Sequence, residues 1–62
     1  MNVNEYDKVE TLVEKNRFPA GSIGIVVSIY NDGPGCEVEL WDQNECPIDV
    51  VTYNASELKV LG

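Results

Sequence analysis

The chain has 62 residues, 11 acidic and 4 basic side chains and no histidine, for a formal net charge of -7. That length holds one domain, 1–62, which buries roughly 60% of its unfolded surface. It leaves no room for a catalytic cleft beside a cofactor domain, and without histidine the commonest general base and the Ser-His and Cys-His pairs are missing. Two cysteines without histidine do not complete a tetrahedral zinc site within one chain without carboxylates.

Charge narrows the partners. Nucleic-acid binding needs Lys and Arg against phosphates, and here Lys8, Lys15, Arg17 and Lys59 are the whole supply, with no base between Phe18 and Leu58. An acidic surface also repels an anionic membrane leaflet. The first twenty residues lack a basic start and an apolar run, and the longest apolar stretch, Ile23 to Ile29, is far below the about 20 residues of a membrane span. The expected address is cytoplasmic, and the expected partner is a protein, with neither nucleic acid nor membrane.

In chain order, five strands are expected: about Tyr6–Val13, Ile23–Tyr30, Cys36–Trp41, Ile48–Tyr53 and Leu58–Leu61. Val, Ile and Thr abound while Ala20 and Ala55 are the only alanines, which favours strands over helices. Turn signals at Pro19-Ala20-Gly21, Asn31-Asp32-Gly33-Pro34-Gly35 and Asp42-Gln43-Asn44-Glu45 separate the segments. In the second strand Ile23, Ile25, Val27 and Ile29 share one face at period 2, which is expected to be the core face, with Gly24, Val26, Ser28 and Tyr30 outward.

In the third strand Val38 and Leu40 point inward and Glu37, Glu39 and Trp41 outward. Matching Leu40 to Ile48 and Val38 to Val50 puts all four in the core and sets Glu39 opposite Asp49 outside. Two opposed carboxylates are mildly destabilising, which marks either a frayed edge in water or a site for a cation or a basic partner side chain. Asn54-Ala55-Ser56-Glu57 fits one helical turn with a capping box. Five short strands, a long first connection and one short 3-10 turn before the last strand describe an all-β, five-stranded SH3-like barrel, whose closure removes open sheet edges.

Two resemblances follow from these residues. Gly21-Ser22-Ile23-Gly24-Ile25-Val26-Val27-Ser28-Ile29 is similar to the glycine-led strand of KOW motifs, found in SH3-like barrels of ribosomal and transcription-elongation proteins. Across the whole chain, Tyr6-Asp7-Lys8-Val9, Gly21 to Gly24, Ile29 to Gly33, Glu37 to Leu40, Val51-Thr52 and Glu57-Leu58 resemble a family of small stand-alone bacterial proteins described as a domain of unknown function with an SH3-like fold. The chain departs from that family at its two hairpin tips, Asn31 to Gly35 and Asp42 to Pro47. The resemblance implies a compact interacting bacterial protein and carries no catalytic residue across.

The remaining constellations are weighed on geometry. Cys46 is expected to face residue 42, which puts it roughly 20 Å from Cys36 along the strand, beyond the about 7 Å that a disulfide spans. Two free thiols fit a reducing compartment. Tyr6 and Phe18 are expected to cover the barrel ends. A proline-peptide groove needs paired tryptophans that the chain lacks. A convex sheet face offers Glu37, Glu39 and Asp49 no cleft for paired-carboxylate hydrolysis and no regular metal loop.

The resulting expectation is a protein-interaction module without catalytic activity, cofactor or metal, binding a protein partner or forming a homo-dimer. The contact surface is expected to be Val26, Tyr30 and Trp41 with a rim of Glu37, Glu39 and Asp49, unless the first loop covers Trp41. The alternative is an acidic protein of immunity or antitoxin type that neutralises a basic partner.

Overall fold

A computed structural model of the chain describes residues 3–31, 33, 35–42, 44 and 46–62, with Pro47 described for its backbone alone. The tip residues Asp32, Pro34, Gln43 and Glu45, on which part of both hairpin expectations rests, lie outside the described residues. Strands β1 (Lys8–Thr11), β2 (Ile23–Ile29), β3 (Gly35–Trp41), β4 (Pro47–Asn54) and β5 (Leu58–Val60) form one antiparallel sheet in the order β4-β3-β2-β1-β5, with a 3-10 helix, Ala55–Glu57, before β5. β4 and β5 are its two edges, and no strand pairing joins them among the described residues. The all-β class and the single 3-10 turn are as expected. The sheet is open rather than closed by a ladder.

The core is Val9, Val26, Cys36, Val38, Leu40, Val51, Tyr53 and Leu58, with Val3, Val13 and Phe18 packed against it. Val38 and Leu40 are inside as expected. The second strand is turned over: Val26 is 0% exposed, while Ile23, Ile25 and Val27 are half-buried and Ile29 is exposed. The reason is space. On the inside, Gly24 is so close to β3 that a methyl group there would overlap the Glu39 carbonyl oxygen and press on Val38 and Leu40 at 2.9 and 3.0 Å. The inner face takes the smaller pair, Gly24 and Val26, from β2, and the bulkier Ile23 and Ile25 fall outside. A bulge between Val26 and Ser28 then swaps the faces, so that Ser28 pairs with Glu37 and Ile29 with Cys36.

The fourth strand is turned over too. Val38 pairs with Val51 and Leu40 with Asp49, one residue from the expected register, and a second bulge between Leu40 and Trp41 absorbs the difference. A one-residue shift exchanges every side chain between faces. Val51 and Tyr53 are therefore buried and Ile48 and Val50 exposed, the reverse of the expected matching. Tyr6 is 75% exposed and covers no end of the core, whereas Phe18 does pack on it.

The long first connection folds back on itself. Lys15 and Phe18 exchange backbone hydrogen bonds of 3.0 and 2.7 Å around Asn16 and Arg17, both at positive φ (48 and 72). Two consecutive positive-φ residues make this a type I′ hairpin turn. The return is fastened by Thr11, which is buried. Its Oγ1 donates to the Pro19 carbonyl at 3.2 Å and accepts from the Ser22 N–H at 3.0 Å. Gly21, at φ 92, supplies the conformation that lets its N–H reach the Thr11 carbonyl at 2.7 Å.

Candidate functional site: the Trp41 groove

Trp41 is the last residue of β3, and its position sets the site. On the outer face, one row of register partners runs Lys8, Ile25, Glu39, Val50, and the next carries Glu10 beside Ile23 and Trp41 opposite Pro47. The Trp41 indole is half-buried, and its Nε1–H donates to Glu39 Oε1 at 3.2 Å. That bond fixes the ring relative to its own strand.

Beside the indole lies an open groove of about 420 Å³, walled by Phe18, Ile23, Trp41 and Ile48 and by the Pro19–Ser22 turn, with Asp42 the one charged lining residue among those described. The returning first connection forms one wall and the β3–β4 hairpin the other. The first connection thus lines Trp41 without covering it. Asp42 is held at the mouth by its backbone neighbours: its Oδ1 accepts from the N–H groups of Asn44 and Cys46 at 2.8 and 3.0 Å, and its own N–H donates to the Cys46 carbonyl at 2.9 Å. Ile48 is 55% exposed and Val50 46%, so apolar surface continues from the groove along β4.

The expected contact residues are dispersed. Val26 is in the core and reaches no partner. Tyr30 is exposed, but it follows the far end of β2, where its ring lies over Gly35, roughly 20 Å along the strand from Trp41. Glu37 and Glu39 stay on the outer face with Trp41. Asp49 does not face Glu39, because Val50 holds that place; its Oδ1 accepts the Val50 N–H at 2.8 Å. Ile48, Ile23 and Asp42 take the roles assigned to Val26, Tyr30 and Asp49. The one sequence reading that concerns this wall is that the first loop could cover Trp41; it lies beside the indole instead.

A family model for a domain of unknown function, DUF4926, matches residues 5–60. The chain belongs to that family. No curated protein and no solved structure matches it. The family match spans all five strands and both walls of the groove, so both lie within the family's domain. No group of three or more His, Cys, Asp or Glu side chains among the described residues is placed to hold a metal, and no helix is long and apolar enough to cross a membrane.

Away from the groove, electrostatics concentrate on Lys15. Its Nζ lies 2.9 Å from Glu57 Oε1, donates to the Thr52 carbonyl at 3.2 Å and sits 5.2 Å from the centre of the Tyr53 ring. Glu57 Oε1 also accepts the Asn54 N–H at 2.8 Å, and this bond, with Lys15, holds the carboxyl below its usual range. Tyr53 is fully buried and its hydroxyl makes no hydrogen bond among the described residues. Burial pushes that phenol up, Glu57 adds to the push, and the nearby Thr11 hydroxyl, engaged elsewhere, opposes it. Burial likewise raises the Cys36 thiol, with a smaller contribution from Glu57.

Proposed function

We propose that the protein is a non-catalytic interaction module of the cytoplasm, which binds a protein partner at the Trp41 groove. The observation that carries this reading is the groove itself: an oriented, half-buried tryptophan continuous with exposed Ile48 and Val50, with the Glu39 carboxylate on its indole N–H and Asp42 in the lining. An apolar centre with a polar rim is the usual anatomy of an interface, and tryptophan is its most frequent anchor. Affinity capture from the native host tests it. Wild type retains a partner that Trp41→Ala and Ile48→Asp lose while both keep a native circular dichroism spectrum. Equal capture by all three would refute it.

Self-association through the same face is the weaker form of this reading. A symmetric contact brings Glu37 and Glu39 of two copies together in chains of net charge -7. A homo-dimer should therefore tighten as added salt screens the like charges. Sedimentation of the wild type at two salt concentrations measures this.

The second reading, an acidic neutralising protein of immunity or antitoxin type, draws on the run from Phe18 to Leu58, which has no Lys or Arg. Complexes of that kind weaken steeply with ionic strength, whereas an apolar docking does not. We also propose that the sheet is a member of the SH3-like barrels. The strand order, the long first connection and the 3-10 helix before β5 support that assignment.

A further inference from the structure

We propose that the Trp41 groove receives an arginine side chain of a basic protein partner, its guanidinium over the indole and between the Glu39 and Asp42 carboxylates. This inference rests on the interaction-module reading and names the chemistry the module recognises.

The hydrogen-bonding inventory of the lining leads there. Many of its donors are engaged inside the protein. Trp41 Nε1 is on Glu39, and the Ser22 hydroxyl donates to the Pro19 carbonyl at 2.7 Å. The backbone N–H groups of Phe18, Gly21, Ser22 and Asp42 go to Lys15, Thr11 and Cys46. Acceptors remain. Among the described residues both bonds to Asp42 fall on Oδ1, and the indole bond falls on Oε1 of Glu39, which stands beside the lining, so Asp42 Oδ2 and Glu39 Oε2 carry no bond from a described residue. A groove flanked by carboxylate acceptors, with many of its donors engaged, favours a ligand that donates.

Charge and shape narrow the donor to a cation with an apolar stem. No Lys or Arg lines the groove; Arg17 precedes Phe18 in the chain but is not in the wall. Phe18, Ile23 and Ile48 suit an alkyl stem, and the indole face attracts a cation lying over it. A planar guanidinium stacks on an aromatic ring and forks to carboxylates, which a compact ammonium does not. A second copy of this chain brings the same negative charge to the contact, so the occupant is a different, basic protein.

The probe is acetyl-Ala-Leu-Arg-Leu-Ala amide, compared with the same peptide carrying lysine or citrulline at its centre. Trp41 is the sole tryptophan, so its emission and its indole N–H resonance report the groove directly. The arginine peptide should move both signals and bind about tenfold more tightly than the citrulline peptide, with lysine between them. Glu39→Gln and Asp42→Asn keep the Oε1 and Oδ1 acceptors that hold the indole and the turn, and each should weaken the arginine peptide by about threefold to tenfold. Citrulline binding as tightly as arginine, or both variants binding like wild type, would overturn the arginine assignment while leaving an apolar docking groove. Silence of the indole at millimolar peptide would overturn it as well. The module reading then stands or falls separately, on whether Trp41→Ala still captures the host partner.

Discussion

Lys15 Nζ and Glu57 Oε1 are 2.9 Å apart, and they tie the first connection to the 3-10 helix that joins β4 to β5. The same pair occupies the open edge of β4: Lys15 covers the Thr52 carbonyl and Glu57 covers the Asn54 N–H, while Asp49 covers the Val50 N–H next along. A sheet with an unpaired edge strand invites pairing with other chains. Here side chains take the backbone groups that a sixth strand would use.

Glu57 makes this clamp sensitive to acid. Its folded-state pKa is lowered, first by the Asn54 N–H and then by Lys15. A depressed carboxyl contributes stability that is present above the usual glutamate value of about 4.3 and is lost as pH falls through the folded value. Glu57→Gln should lower stability by about 1 kcal/mol at pH 7 and flatten the dependence between pH 5 and 3, on an order-of-magnitude scale. Urea melts at pH 7, 5 and 3 check it; parallel pH profiles for wild type and variant would remove Glu57 from the clamp.

Gly24 should tolerate no side chain. The overlap of an added methyl with the Glu39 carbonyl oxygen involves backbone, which cannot swing away. Gly24→Ala should cost about 3 kcal/mol, much of the stability of so small a domain. Thermal unfolding followed by circular dichroism measures the loss, and a melting temperature unchanged from wild type would mean that β2 and β3 are not so close.

Arg17 stands at φ 72 in the second central position of its turn. An L side chain in that region carries about 1–2 kcal/mol of strain, and glycine relieves it. Arg17→Gly should stabilise the protein by about 1 kcal/mol despite removing one of its four cations. A stability unchanged or lowered in denaturant melts would contradict the turn type.

The two thiols should differ. Cys36 is buried, with its Sγ 3.6 Å from the Tyr53 carbonyl and its pKa raised by burial, while Cys46 is exposed. A thiol reagent at neutral pH should modify one cysteine in the native protein and two after denaturation. Rapid modification of both in the native state would place Cys36 outside the core.

Much of this fold was legible from individual residues. Val38 and Leu40 inward, Cys36 and Cys46 unpaired, and Glu57 reaching back to Asn54 all followed from period, strand rise and capping. The faces of β2 and β4 did not, for one shared reason. Both were read as uninterrupted period-2 strands matched through their bulkiest residues, and each lies against β3 through a bulge. Hydrophobicity alone ranks Ile23, Ile25, Val27 and Ile29 above Gly24 and Val26. Packing against Val38 and Leu40 leaves room only for the smaller set. The site inherited the error: with Val26 assigned to the surface, Ile23 and Ile48 were assigned to the core, and the groove they line was not visible.

The orientation of β2 is the claim on which the core and the Trp41 groove both depend, and paired substitutions at Val26 and Val27 test it most directly. Val26→Asp should bury an unpaired carboxylate against Val38 and unfold the domain, while Val27→Asp should leave a folded protein with β-type circular dichroism and a cooperative melt. A folded Val26→Asp beside an unfolded Val27→Asp would contradict the account, because Ile23 and Ile25 would then line the core and no groove would exist beside Trp41.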